Sequence, residues 1–306
     1  MSDKKKVTVV VNKAWEYDPF FKAITHPFLR PTGLPDPKDI KDVKEPMKEP
    51  RAKMYLDNID VVFRCVQNMM DPDVNKSNSE AKMKYMPAYL GTDDADLIIS
   101  VSTAESTPDI QKRLAGSKDA SVNGSVIIGN RFFMSDQRAV EGPKPESNLD
   151  VLPYADYSNY LSNILYSTIS ENAERIARKF IPQKNAPASL MYLSASKDFT
   201  SVGVVNIVHY ENYPTADKNA FNEFNQSSYY DCPVSLETTH GIVSMAANLK
   251  KPKHVPVIFV SPITDRYLCF SKDVDDAQNY IAGFNAGIAV GEILMLIDKN
   301  YRFLDM

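Results

Sequence analysis

Several carboxylates stand just beyond short apolar runs, where side chains leave a strand or enter a helix. Glu16 and Asp18 follow Val7–Val11, Glu105 follows Leu97–Val101, Glu237 precedes a helical pattern, and Asp265 ends the run that starts at Val257. An ionised carboxylate only accepts hydrogen bonds, and it can take two hydroxyl donors at once. A carboxyl that holds its proton can hand it to a departing group, a role typically worth about 10²–10⁴ in rate. Each residue also has a structural use. Glu237 suits a helix N-terminus, where the macrodipole favours negative charge, and Asp265 beside Arg266 suits an ion pair at a turn. Trp15, Tyr210 and Tyr213 are aromatics that either stack on a flat ligand or bury area in the core. His209 reads as a packing or capping residue as readily as a site residue, and His240, two residues after a possible cap, reads as facing solvent.

The elements that would position these side chains are legible in outline. Val7–Val11, Leu97–Val101, Val126–Ile128, Gly203–Val208 and Val257–Val260 are continuous apolar runs, as expected of strands buried on both faces. Helical patterns cover Ile59–Met70, Tyr157–Phe180, Thr239–Leu249 and Asp275–Leu296. Strands interleaved with helices predict a single α/β domain over residues 1–306, with a central mixed β-sheet flanked by helices on both sides. Two stretches read as insertions. Residues 26–50 carry Pro27, Pro31, Pro35, Pro37, Pro46 and Pro50, which fix φ and remove donors. Residues 141–187 start as a polar loop and become a helix rich in Tyr and Ser. In the last helix Gly283, Gly287 and Gly291 recur at four-residue spacing, which predicts close packing against another element.

Bulk properties narrow the function. The chain has 306 residues and a formal net charge of −4, from 35 basic and 39 acidic residues. That balance lacks the basic excess of a nucleic-acid-binding surface. Three widely spaced cysteines, Cys65, Cys232 and Cys269, fit neither a disulfide framework nor a zinc site. The opening apolar run is too short for a secretory signal. The apolar segment 281–297 is broken by glycines, Asn285 and Glu292, which argues against a membrane span. A cytoplasmic location, with no membrane and no metal, is the expectation.

Four ordered segments resemble the active-site strand ends of the purine nucleoside phosphorylase and methylthioadenosine nucleosidase superfamily. The first is VTVVVNKAWEYD (7–18), the second ADLIISVSTAE (95–105) with NGSVIIGNRFFMSD (123–136), the third SLETTHG (235–241) and the fourth VIFVSPITDR (257–266). By position, the resemblance makes Asp18 the acid that activates the attacking water, with Glu16 as the fallback, since the family residue is normally glutamate. It makes Glu237 the acceptor for the ribose hydroxyls and Asp265 the acid that protonates the purine as it leaves. Leu236, Thr103, Ala104, Trp15, Tyr210, Tyr213 and Arg131 become candidate substrate-binding residues. Gly124, Gly129, Arg131 and Asp136 match the second motif, whereas Glu105 stands where the family carries glycine.

The resemblance implies a small-molecule nucleoside as ligand, no cofactor and a homo-oligomer. Phosphate is a second candidate ligand, but the chain lacks the Gly-Asp-Pro-Xaa-Arg opening of hexameric phosphorylases and the Gly-Ser-Gly turn of trimeric ones. Asp18 and Glu105 would repel phosphate, with Arg131 and Arg266 as candidates to offset them. Water is therefore the expected nucleophile. A phosphate-dependent phosphorylase and a catalytically silent nucleoside-binding protein are the alternatives. In open α/β sheets ligands gather at the carboxyl ends of strands, which places the site independently of any family.

Overall fold

A computed structural model of the chain describes residues 4–12, 14–24, 51–66, 86–87, 89–90, 94–135, 154–157, 163–183, 191–204, 213–228, 234–248 and 254–304. Strand β1 (Lys5–Val11) shows how the core forms. Val7, Val9 and Val11 fill one hydrophobic cluster, while Val10 fills another on the opposite face. A strand apolar on both faces needs cover on both sides. Helices α1 (Ala14–Ile24), α3 (Asn163–Ala177) and α7 (Asp276–Lys299) supply it on the first face, and α5 (His240–Asn248) on the second.

Among the described residues the sheet has 12 strands in the order β2-β3-β1-β4-β12-β5-β11-β10-β7-β8, with β6 branching from β12 and β9 from β6. Strands β3 (Ile59–Cys65), β1, β4 (Leu97–Val101) and β12 (Val257–Arg266) run parallel, and β2 (Arg51–Tyr55) closes that edge antiparallel. The ten-residue β12 joins two halves of the sheet. Its first part pairs with β4 and antiparallel with β6 (Val126–Gly129); its second part pairs with β5 (Ala104–Ser106). Beyond β5 lie β11 (Val234–Glu237), β10 (Thr200–Val204) and β7 (Arg131–Ser135), parallel to one another, with β8 (Tyr154–Asp156) antiparallel at the edge. Strand β9 (Leu193–Ala195) pairs with β6. Helix α4 (Tyr213–Gln226) covers the second half and seals a cluster of Phe133, Val202, Ala216, Phe224 and Leu236. The short helices α2 (Pro108–Ala115) and α6 (Phe270–Asp273) complete the described elements that bear on the site.

The expected α/β architecture with a mixed sheet is what the chain forms. One element differs in kind: the helix expected over Ile59–Met70 is strand β3 from Ile59 to Cys65. Its apolar residues fit a helical spacing, but Ile59, Val61, Phe63 and Cys65 also alternate. All four are buried, and the run is in register with β1 along its whole length. β-branched and aromatic residues over seven positions suit a pleated surface better than a helix. Strand β12 is longer than the expected Val257–Val260, whereas residues 205–208 of the expected strand Gly203–Val208 lie outside the described residues, as do residues 26–50. Within 141–187, α3 sends Leu165, Ile169 and Ile176 into the main core. Helix α7 is long and apolar enough to cross a membrane by composition, yet Ile281, Ala282, Ala286, Val290 and Ile293 pack inside the protein, so it is a core helix.

Candidate active site

Helix α1 begins directly after β1, and its first turn carries Glu16 inward. The Glu16 side chain is 1% exposed, and its Oε1 accepts from the Thr103 backbone N–H (3.2 Å) and from Thr103 Oγ1 (2.9 Å). Thr103 lies where the chain leaves β4 and starts β5. Helix α7 fixes how deep α1 sits: a Cβ on Gly283 would stand 3.0 Å from the Glu16 carbonyl oxygen, and one on Gly287 would stand 2.2 Å from that of Phe20. The glycine stripe thus lets the backbone of the Glu16 helix rest on α7. Asp18 points the other way and pairs with Lys22 at 2.6 Å, one turn on, at the solvent-facing side of α1.

Asp265 follows a register shift between Ile263 and Asp265, a bulge of the kind that re-aims side chains beside functional sites. It is 2% exposed and becomes the cross-strand partner of Glu105 on β5. Thr264 Oγ1 donates to Asp265 Oδ1 at 2.6 Å, while Asp265 Oδ2 and Glu105 Oε2 are buried without a hydrogen-bond partner among the described residues. Asp217 reaches the same place from α4 and is also buried. Burial raises the pKa of all three above the usual carboxylate range. The neighbouring acids raise Glu105 and Asp217 further, whereas the Thr264 hydroxyl and the Glu105 carboxyl opposite hold Asp265 to about 6.

Glu237 ends β11 and caps α5. Its Oε1 accepts from Ser201 Oγ (2.7 Å), and its Oε2 accepts from the backbone N–H of Thr239 and from that of His240 (2.8 Å). Burial pushes its pKa up to about 7 against the lowering effect of those donors. Beneath it, His240 hydrogen-bonds with Ser100 (2.7 Å, at Nδ1) and Ser261 (3.2 Å, at Nε2) and stacks on Phe259. Burial lowers the His240 pKa to about 3, so the ring is neutral and offers one donor and one acceptor to those two hydroxyls. Asp217 is raised by its burial and then by both Asp265 and Glu237, so this one side chain feels both carboxyls. Among the described residues, the groups acting on Glu105, Asp217 and Glu237 are hydroxyls, backbone amides and other carboxyls, with no lysine or arginine.

Neither a family model nor the sequence of a curated protein matches the chain. Solved structures do. A 5′-methylthioadenosine/S-adenosylhomocysteine nucleosidase from Helicobacter pylori, crystallised with butyl-thio-DADMe-Immucillin-A, aligns with a TM-score of 0.55 at 11% identity, over 96% of this chain and 99% of that one. The corresponding enzyme from Neisseria meningitidis, with methylthio-immucillin-A, aligns at 0.51 and 15% identity over 95% and 98%. A futalosine hydrolase mutant of Helicobacter pylori aligns at 0.51 and 11% over 95% and 99%. The chain thus shares its fold with these solved nucleosidases.

Within this nucleosidase fold the expected site residues separate into groups. Glu16, Thr103 and Ala104 meet where β4 gives way to β5, and Glu105 at the next position carries the line on to Asp265. Thr103 serves there by anchoring Glu16 with its hydroxyl and its amide. Leu236 pairs with Glu105 in register but lies in the apolar cluster under α4. Arg131 is not brought to this group. It starts β7, level with Thr200, whereas Gly203 is level with Glu237, about 10 Å further along at the usual strand rise. There it donates to Tyr154 Oη (2.7 Å) and pairs with Asp156 (3.4 Å). Arg266 is committed to Asp273 through Nε and Nη2, at 2.9 Å each. Trp15 lies on α1 and Tyr213 starts α4, with side chains outside the described part; Tyr210 and Asp136 lie outside the described residues.

Asp217 and Ser201 are members of the site that the motifs did not single out. Asp217 carried a signal: it shares a helix face with Ala216, Ala220 and Phe224, and an acid among apolar residues at helical spacing is an anomaly that asks for a partner. Ser201 has no such mark in the sequence.

Proposed function

We propose that this chain cleaves the N-glycosidic bond of a purine nucleoside with water as the nucleophile. The observation that carries the reading is the set of buried carboxyls, Glu16 in the first turn of α1, Glu237 at the end of β11 and Asp265 near the end of β12, the last two both acting on Asp217, with Arg131 and Arg266 engaged elsewhere. Glu16 takes the role first given to Asp18. It is buried and held by Thr103, whereas Asp18 is tied to Lys22 at the surface. In the reaction the water oxygen bonds to C1′ while its proton passes to Glu16. The C1′–N bond breaks with its electron pair going to the base, which receives a proton from Asp265. Glu237 accepts from the sugar hydroxyls. A site dominated by carboxylates repels phosphate and favours an oxocarbenium-like sugar carrying positive charge. The solved neighbours, nucleosidases bound to immucillin analogues and a futalosine hydrolase, support a nucleoside ligand. A cytoplasmic location and a homo-oligomeric assembly belong to the same reading.

The test is incubation with inosine, adenosine and methylthioadenosine, each with and without phosphate, while following free base. Release of base at equal rates in both conditions is expected, and release only with phosphate would sink the water mechanism. Asp265→Asn should lower kcat by at least about 10² if the carboxyl protonates the base. Tight nucleoside binding without turnover would leave a binding protein.

A further inference from the structure

Glu105 lies in strand β5, at the position where the resemblance expects glycine, and the hydrolytic scheme does not use it. Its surroundings are nevertheless specific. The β5–β12 register sets Glu105 directly across from Asp265, and the two side chains are 6% and 2% exposed. The hydrogen-bond accounting leaves a gap of one proton. Asp265 Oδ1 is filled by the Thr264 hydroxyl, while Asp265 Oδ2 and Glu105 Oε2 are buried and receive no donor from any other described residue. The two carboxyls stand opposite each other in the strand register, and two ionised carboxylates, both acceptors, would repel and leave those oxygens unsatisfied, so a single proton shared between them fills the gap. The groups facing Glu105 are Asp265 from β12, Asp217 from α4 and Tyr267 from the turn after β12. That turn also supplies the Leu268 backbone N–H, from a leucine held at φ 59° in the left-handed region. Two of these neighbours are acids, and no cation stands among them. Asp265 has the Thr264 hydroxyl to keep it ionised, so Glu105 is the better keeper of the proton.

We propose that Glu105 and Asp265 form a carboxylic acid–carboxylate pair sharing one proton, with Glu105 as the positioning residue that holds Asp265 and stores the proton it delivers. The delivery step rests on the hydrolytic reading above, whereas the pair itself does not. In that step the Glu105 proton moves to Asp265 Oδ2 and on to the departing base nitrogen. The C1′–N electron pair goes to the base, and Glu105 is left as a carboxylate that regains a proton from solvent after release.

The pair is tested without substrate by carbon NMR of the full chain labelled at its glutamate side-chain carboxyls, with the Glu105 signal identified by its loss in Glu105→Gln. A Glu105 carbon still protonated near neutral pH, and shifted by Asp265→Asn, is expected. A Glu105 carbon titrating in the ordinary carboxylate range overturns the pair. With nucleoside, Glu105→Gln keeps a donor for Asp265 but cannot pass on a proton. It should lose roughly 10² in kcat with KM little changed, and its alkaline limb should move to lower pH, while Glu105→Asp recovers part of the loss. Unchanged kcat and pH profile in Glu105→Gln overturn the storage role even where the NMR supports the pair. Absence of turnover in the wild-type chain would instead count against the hydrolytic reading and leave the NMR result standing.

Discussion

At the residue scale, two acids in one helical turn have different fates. Glu16 and Asp18 are separated by one residue, so they project about 200° apart around α1 at 3.6 residues per turn. Only one can face the sheet. Packing against α7 through Gly283 and Gly287 chooses Glu16, which then meets Thr103, and leaves Asp18 to Lys22 in a surface pair of small energetic weight. Glu16→Gln should therefore lower kcat by roughly 10² or more, as expected for a lost general base. Asp18→Asn should leave kcat near the wild-type value. Steady-state kinetics on both variants decides the assignment, and a large loss in Asp18→Asn with a small one in Glu16→Gln would reverse it. Position in a motif narrowed the choice to these two residues, but the direction of a side chain is set by a helix more than 260 residues away, and no local pattern records it.

The same limit appears at the scale of elements, in both directions. The glycine spacing in 283–291 announced a close contact, and the structure supplies α1 as the partner of Gly283 and Gly287. The apolar runs at 7–11, 97–101 and 126–128 became strands because an uninterrupted β-branched run has few other ways to be buried on two faces. The run at 59–65 fitted two periods, and the choice between them came from pairing with β1, a contact across more than fifty residues. Arg131 matched its motif and still lies at the wrong end of β7, because order along a strand says nothing about which end faces the site. The α1–α7 contact itself carries a prediction. Replacing Gly287 by Val puts a Cβ within 2.2 Å of the Phe20 carbonyl oxygen and drives α1 outward. Relief of the glycine helix penalty, under about 0.5 kcal/mol for a β-branched valine, offsets little of an overpacking cost of about 1–3 kcal/mol. The expected outcome is a modest drop in the urea midpoint joined to a large drop in kcat, because α1 carries Glu16. A variant that loses stability but keeps full turnover would show that α7 does not set the position of Glu16.

At the scale of the whole molecule, stability and acidity are tied through the buried carboxyls. Burial raises Glu105, Asp217, Glu237 and Asp265 above their ordinary values, and Glu237 and Asp265 are pushed up to about 7 and about 6. A carboxyl raised on folding binds its proton more tightly in the native state. Its stabilising contribution is complete below its unfolded pKa, near 4 to 4.5, and is lost as pH climbs through the native value. Asp273 and Glu292 act in the opposite sense. Their native pKa values are lowered by Arg266 and by Lys179 with Arg175, so their contribution holds above the unfolded value and fades in acid. Both are partly exposed, so solvent screens their share, and the four buried acids dominate from mildly acidic to alkaline pH. The urea midpoint of the wild-type chain should therefore fall steadily from about pH 5 to about pH 9. Glu105→Gln cannot ionise, so its curve should be flatter and should cross above the wild type on the alkaline side. Denaturation curves for the two proteins across that range decide the matter: a wild-type midpoint that rises with pH would mean that these acids are ionised in the native state, held by charge partners rather than by burial.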